Sequence, residues 1–344
     1  MWRICFLQVL VILGALSNAA NAAPITIRLT LQLPPESQLY QNLKQFKDRV
    51  AEESHGELQV QLFPSSQLYK AHEVPKAVGS GQIEMGASLL AQYVDIVPAT
   101  DIFAVPFLFS EPAIFEAATT ATSGVRGPLD EAIRQSTGAH VLWWVPNGAE
   151  AMGSKGAPLR LPSDISGKRI RVAGATLAEF IKQCGGTGVV TPGSEQYAVL
   201  KRGEVDGVST SIESFVSRRL WELVDHVTFL HHARQAFIVL INDRFWQSLS
   251  DHQRRLLAKA ALEAERKAEE QDAAVDRESV KILAGYGVKV AEATPDELDE
   301  WKSCSSPVSE VFLAKSGAAG EKVMAAYRKL RVDFIKGKPF KTSQ

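Results

Sequence analysis

The chain has 344 residues, 45% hydrophobic and 22% charged, with 38 Lys and Arg against 39 Asp and Glu. That near-neutral balance excludes the basic stripe of a nucleic-acid binder, and the length accommodates two globular domains. Three cysteines are too few for a disulfide framework.

Met1-Trp2-Arg3, the apolar run from Ile4 to Leu16 and the triplet Ala20-Asn21-Ala22 read as a secretory signal peptide, residues 1–22, cut after Ala22. Its apolar core is too short to span a bilayer, and no later run is long and apolar enough, so an exported, soluble mature chain is expected. Cys5 falls before the cut. Cys184 and Cys304 remain, either as one disulfide or as two free thiols.

Ile25 to Leu33 is rich in β-branched residues and predicts a strand. Ser37 to Ser54 predicts an amphipathic helix with Leu39, Leu43, Phe46 and Val50 on one side, stopped at His55-Gly56. Leu58 to Phe63 alternates as a second strand, Glu73 to Ser80 predicts a short helix broken at Gly81, and Ile83 to Ser88 a third strand. This β-α-β-α-β opening implies a parallel sheet with right-handed crossovers. Phe103 to Phe109 reads as core. Pro112 to Thr122 and Gly127 to Ser136 predict helices, and His140 to Val145 a strand ended by the turn signature Pro146-Asn147-Gly148, where the chain crosses between domains. A second series follows from Ser166 to Gly207: strand, helix, Gly-rich turn, strand, helix and a turn at Val205-Asp206-Gly207. Val227 to Leu230 and Ala236 to Ile241 predict two more strands. Ser250 caps a long helix to about Ala284, best read as bridging the two domains. Thr294-Pro295-Asp296-Glu297 starts another helix, and Ala319 to Leu330 predicts the last. The expected fold class is α/β in two domains, 23–147 plus 236–274 and 148–235 plus 275–344.

No catalytic signature is present: no G-x-S-x-G, P-loop or H-E-x-x-H, and no G-x-G-x-x-G after a strand. His231 and His232 are adjacent rather than at metal spacing, so neither metal nor cofactor is expected. The arginines of the second series carry more. Arg169 and Arg171 are two apart, on the same face of a strand. Arg171 precedes Val172-Ala173-Gly174 at a strand end, where α/β sheets bind ligands. A guanidinium holds a carboxylate through two parallel hydrogen bonds, which suits a small organic acid. Trp143 and Trp144 offer an apolar or cation–π wall, although alternation sends neighbours to opposite faces and core packing competes.

Pro64-Ser65-Ser66-Gln67-Leu68, Gly81-Gln82-Ile83-Glu84-Met85, Val105-Pro106-Phe107-Leu108-Phe109, Leu161 to Val172 and Ser194 to Gly207 occur here in an order and spacing that resemble the periplasmic solute-binding proteins of tripartite ATP-independent periplasmic (TRAP) transporters, the dicarboxylate-binding-protein type. The resemblance covers nearly the whole mature chain. It implies a two-domain periplasmic-binding-protein fold of the class II type, joined by crossing strands and a long helix. It also implies capture of a small organic acid in the periplasm by clamp-like closure, and delivery to the small and large membrane permease subunits. By that resemblance Arg171 salt-bridges the ligand carboxylate. Thr210 stands near the family's carboxylate-facing Asn. Gln32 and Glu36 line the cleft from the first strand's end, and Leu89, Leu90 and Tyr93 from the third's. Glu150 lies where many members carry a second cleft arginine. It would repel a second carboxylate, leaving Arg169 as a helper, Trp144 as a wall, and a monocarboxylate or an amphoteric ligand as alternatives. A ligand-sensing subunit of a signalling system and an exported α/β enzyme are the other readings, the last lacking a catalytic constellation.

Overall fold

The computed structural model describes residues 23–337, so the expected leader and its cleavage site lie outside the described residues. Strand β1 (Ile25–Leu31) pairs in parallel with β2 (Leu58–Phe63) and with β3 (Met85–Leu89). Between β1 and β2 runs α1 (Gln38–Glu53), capped by the Ser37 hydroxyl, which accepts from the Tyr40 N–H. Leu39, Leu43, Phe46 and Val50 are all buried on one face of α1, the stripe that the helical period requires. Helix α2 (Val74–Ser80) completes the opening βαβαβ unit, and Gly81 ends it in the left-handed region at φ 80°.

Helices α3 (Pro112–Thr119) and α4 (Arg126–Thr137) lead into β4 (Ala139–Ser154). This strand runs straight through Pro146-Asn147-Gly148, where the sequence reads as a turn. Its antiparallel partner continues on both sides, so the turn chemistry is absorbed as register shifts at Pro146/Ala149 and Ala149/Ala151, with Gly148 at φ 72°.

The second lobe is built on β5 (Arg169–Val172), α5 (Ala175–Gln183), β6 (Thr187–Val190), α6 (Gln196–Lys201), β7 (Gly207–Ser211) and α7 (Ile212–Ser217). The partner of β4 is β8 (His226–Asn242), one strand where the sequence predicts two. His231, at φ 49°, bends it without breaking it. The sheet order is β2-β1-β3-β8-β4-β7-β5-β6, so β4 and β8 are shared by both lobes.

After α8 (Asp243–Ser248), helix α9 (Asp251–Gly285) runs for 35 residues from a Ser250–Gln253 capping box. Leu256, Leu257, Ala260, Ala264 and Ala268 of its first part join the core of the first lobe, and Leu283 joins that of the second. It is therefore the bridging helix expected. Strand β9 (Lys289–Glu292), which the sequence does not signal, pairs with β8 beside α10 (Pro295–Ser305). Helix α11 (Val308–Ile335) starts well before the expected Ala319 and kinks at Gly317. From Phe312 onward it packs against the cluster containing Phe103 and Phe109. The four aromatic and apolar side chains Phe312, Val323, Met324 and Tyr327 bury themselves there.

Cys184, at the C-terminal end of α5, is disulfide-bonded to Cys304 of α10 across 120 residues of sequence. The alternative of two free thiols is thereby closed.

Candidate ligand-binding cleft

The cleft forms where the C-terminal ends of β1 and β3 face those of β5 and β7. Gln32, Leu89 and Gln92 line it from the first lobe, Asn147 and Phe237 from the crossing strands, and Glu150, Arg171, Thr210 and Arg218 from the second.

Arg171 is 2% exposed. Its Nε and Nη2 donate to the Thr191 carbonyl at 3.0 and 2.5 Å, and its Nη1 donates to Gln196 Oε1 at 2.9 Å and to the Ser209 carbonyl at 3.3 Å. A guanidinium has five N–H donors, so one on Nη2 is left over. Among the described residues no carboxylate pairs with Arg171 within ion-pair distance. Burial, helped by the neighbouring Arg218 charge, lowers its pKa to about 9, so it stays protonated at neutral pH.

Arg218 follows α7 directly, and its Nη1 donates to Ser214 Oγ at 2.5 Å. Burial pulls its pKa down to about 10, opposed by the charge of Glu213. Gly193 makes room for it: a Cβ there would stand 2.7 Å from Arg218 Nη2.

Glu150 is buried beneath Arg171 and is well held. Its carboxylate accepts from Ser209 Oγ at 2.8 Å and from Gln235 Nε2 at 3.0 Å, with His232 Nε2 at 3.6 Å. Burial pushes its pKa up, but the hydrogen bonds and charges of His232, Ser209 and Arg171 outweigh that and hold it below the usual range. Ser209 Oγ also lies 2.9 Å from His232 Nε2. Since the Ser209 hydroxyl donates to Glu150, it accepts from an Nε2–H, and His232 Nδ1 faces no partner.

Two further contacts cross between the lobes. The backbone N–H of Gln38, in the first turn of α1, donates to Glu213 Oε1 at 3.2 Å. That of Thr176, in the first turn of α5, donates to Asp101 Oδ2 at 3.2 Å. Each lobe thus offers a carboxylate to a helix N-terminus of the other, where it is favoured by the unsatisfied N–H groups. Burial pushes the pKa of both carboxyls up. Behind the cleft, Arg234 of β8 donates to Asp272 Oδ2 at 2.6 Å and to Asp276 Oδ2 at 3.2 Å, and the Ala149 N–H donates to Asp276 Oδ2 at 3.1 Å. Helix α9 is therefore fastened to the bulged stretch of β4.

Of the residues singled out from the sequence, Arg171, Thr210, Gln32, Leu89 and Glu150 are brought together. The others stand elsewhere. Arg169 opens β5 at its far end, about 7 Å along the strand from Arg171. There its Nη2 binds Asp206 Oδ1 at 3.0 Å and the Gly203 carbonyl at 2.8 Å. It shares a face with Arg171 but not an end. Glu36 is exposed in the turn before α1. Tyr93 and Leu90 are buried in the core of the first lobe, and burial raises the Tyr93 pKa. Trp144 is core as well: its Nε1 donates to Asp130 Oδ1 at 2.8 Å, and the Arg126 guanidinium lies 5.4 Å from its ring. Trp143 is buried on the opposite face, donating to Asn42 Oδ1.

Arg218, Gly193 and Gln92 were not singled out. The signal for Arg218 was Ser214 and Arg218 at i, i+4 on a short helix, too slight to separate from a solvated Arg218-Arg219 pair.

Fold and cleft together define a two-lobed solute-binding protein. The family model described as bacterial extracellular solute-binding protein, family 7 (DctP) matches residues 30–316, and the chain belongs to that family. It is 26% identical over 307 residues to the C4-dicarboxylate-binding periplasmic protein DctP of Rhodobacter capsulatus, covering 88% of this chain and 91% of that one. The solved structure of a Bordetella pertussis extracytoplasmic solute receptor binding pyroglutamic acid superposes with a TM-score of 0.83 at 24% identity, over 88% of this chain and 99% of the other. A TRAP periplasmic solute-binding protein from Shewanella oneidensis with bound succinate does so at 0.82 and 24%, over 89% and 100%. The fold is thus that of the TRAP solute receptors, as the sequence motifs implied. Among the described residues no helix is long and apolar enough to cross a membrane.

Proposed function

We propose that this chain is the solute-binding subunit of a TRAP transporter, capturing a small organic acid through Arg171 as the two lobes close and presenting it to the small and large membrane permease subunits. The observation that carries this is Arg171 itself. It is a buried guanidinium at a strand end, without a carboxylate partner among the described residues and with a donor left over, in a cavity between two lobes. Leaving such a charge unpaired is costly, and an incoming carboxylate removes that cost. The relatives point the same way, since those reported above bind C4-dicarboxylate, pyroglutamic acid and succinate by their names. The lobes divide at the bulges of β4 and β8, near 147/148 and 235/236, with α11 returning to the first. The protein binds without turnover, and its leader is removed after Ala22 on export to the periplasm.

Thermal-shift screening of organic acids on the mature protein tests the reading. One or more acids raise Tm, because a ligand that binds only the folded state stabilises it. Arg171→Ala abolishes the shift. Retained affinity in that variant would sink the role given to Arg171, and N-terminal sequencing of the exported protein checks the cut.

A further inference from the structure

Resting on the reading just given, we infer that Arg218 is a second anion-holding, specificity-determining residue, and that the ligand is a small monocarboxylate carrying a hydroxyl or N–H donor rather than a dicarboxylate. Arg171 has four of its donors engaged by protein acceptors. Arg218 has one: among the described residues only Ser214 Oγ accepts from it, and no carboxylate comes within ion-pair distance. Its guanidinium lines the cavity beside Arg171, close enough for its charge to lower the Arg171 pKa. Gly193 is matched to this arrangement, because a side chain at that position would displace the guanidinium.

The charges of the walls limit the ligand. Two guanidiniums face one ionised carboxylate, Glu150, so one negative charge completes the balance. Glu213 also stands near Arg218, and burial raises its pKa. A dianion would leave a buried negative charge uncompensated, which is strongly unfavourable. The rest of the lining is uncharged, with polar side chains beside apolar Leu89, Ala173 and Phe237. Gln32 is 4% exposed and its Oε1 has no partner, an acceptor presented by the first lobe to a donor on the ligand. Gln92 and Asn147 add amides that both donate and accept. One carboxylate between the two arginines and one hydroxyl or N–H on Gln32 would join the lobes through the ligand.

Isothermal titration of the mature protein with matched acids tests this: 3-hydroxybutyrate, butyrate and succinate, then gluconate, hexanoate and adipate. The hydroxylated monoacid of a series binds more tightly than both of its counterparts. Arg218→Gln weakens it about thirtyfold or more, and Gly193→Ala, which displaces the same guanidinium, reproduces the loss. Glu150→Gln removes the balancing negative charge and moves the preference toward the diacid by about tenfold or more. Circular dichroism and the Tm of each unliganded variant show that it folds. The inference falls if the diacid wins on the unaltered protein, if Arg218→Gln binds as before, or if Glu150→Gln leaves the ratio of monoacid to diacid unchanged. In each of those cases Arg171→Ala separates the two claims, because loss of binding there leaves the carboxylate-capture reading standing. Failure of every acid to bind overturns both.

Discussion

Breaking the Cys184–Cys304 bond should destabilise the protein without touching its ligand affinity. The bond closes 120 residues of sequence, a loop whose closure entropy in the unfolded chain corresponds to about 5 kcal/mol. Unfolding entropy near Tm is roughly 2 cal/mol/K per residue, so over the residues of the fold a loss of that size is a fall in Tm of about 8 °C. The bond joins the C-terminal end of α5 to α10, while the cleft receives the other end of α5. Ligand affinity should therefore change less than about twofold. Differential scanning calorimetry with and without reductant, and on the Cys184→Ser/Cys304→Ser double variant, measures the shift, and titration measures the affinity. The reasoning is refuted if the double variant melts with the oxidised protein, or if denatured, non-reduced protein shows two reactive thiols.

Three other outcomes are expected. Glu213→Ala removes the acceptor for the Gln38 N–H between the lobes and should weaken the apparent affinity for any ligand about five- to tenfold; an affinity equal to that of the unaltered protein would refute a role for this contact in closure. Asp276 is pushed up to about 6 by burial and by Asp272. Its folded pKa lies above its unfolded one, so its contribution to stability is full below about pH 4 and is lost as pH rises to about 6. Asp276→Asn should flatten the denaturation midpoint across that window, and an unchanged slope would refute the assignment. Gly148→Ala should cost about 1–3 kcal/mol, because φ 72° strains an alanine and its Cβ would meet the Asp276 carboxylate; a urea midpoint equal to that of the unaltered protein would show that the bulge relaxes freely.

The opening unit was legible because its information is local. Leu39, Leu43, Phe46 and Val50 repeat at the helical period, and Leu58 to Phe63 alternates at the strand period, so each segment declares its own buried face. The crossing strands were not, because Pro146-Asn147-Gly148 carries true turn chemistry that only a continuous partner strand converts into a bulge. Strand β7 escaped notice since Gly-Val-Ser-Thr-Ser has no apolar alternation; its place between β4 and β5 buries it on both faces regardless. The cleft was half legible. Periodicity puts Arg169 and Arg171 on one face, but which end of a four-residue strand meets the cleft is a tertiary fact. Trp144 and Tyr93 were ambiguous for a related reason: large aromatics near a cleft and in a core look the same along the chain. Arg218 reaches the cavity only because Gly193, distant in the chain, leaves space for it.

The return of α11 to the first lobe delays the completion of folding. That lobe's core joins Val74 and Ile83 to Phe312, Val323 and Tyr327, so completion of its packing waits for residues near the C-terminal end of the described chain. A chain made N-terminus first cannot finish either lobe early. The first lacks α11, and the second lacks the partner strand and the disulfide's second cysteine until β8 and α10 arrive. Long-range closure of this kind folds slowly. It makes assembly of the cleft one of the final events of folding rather than one of the first.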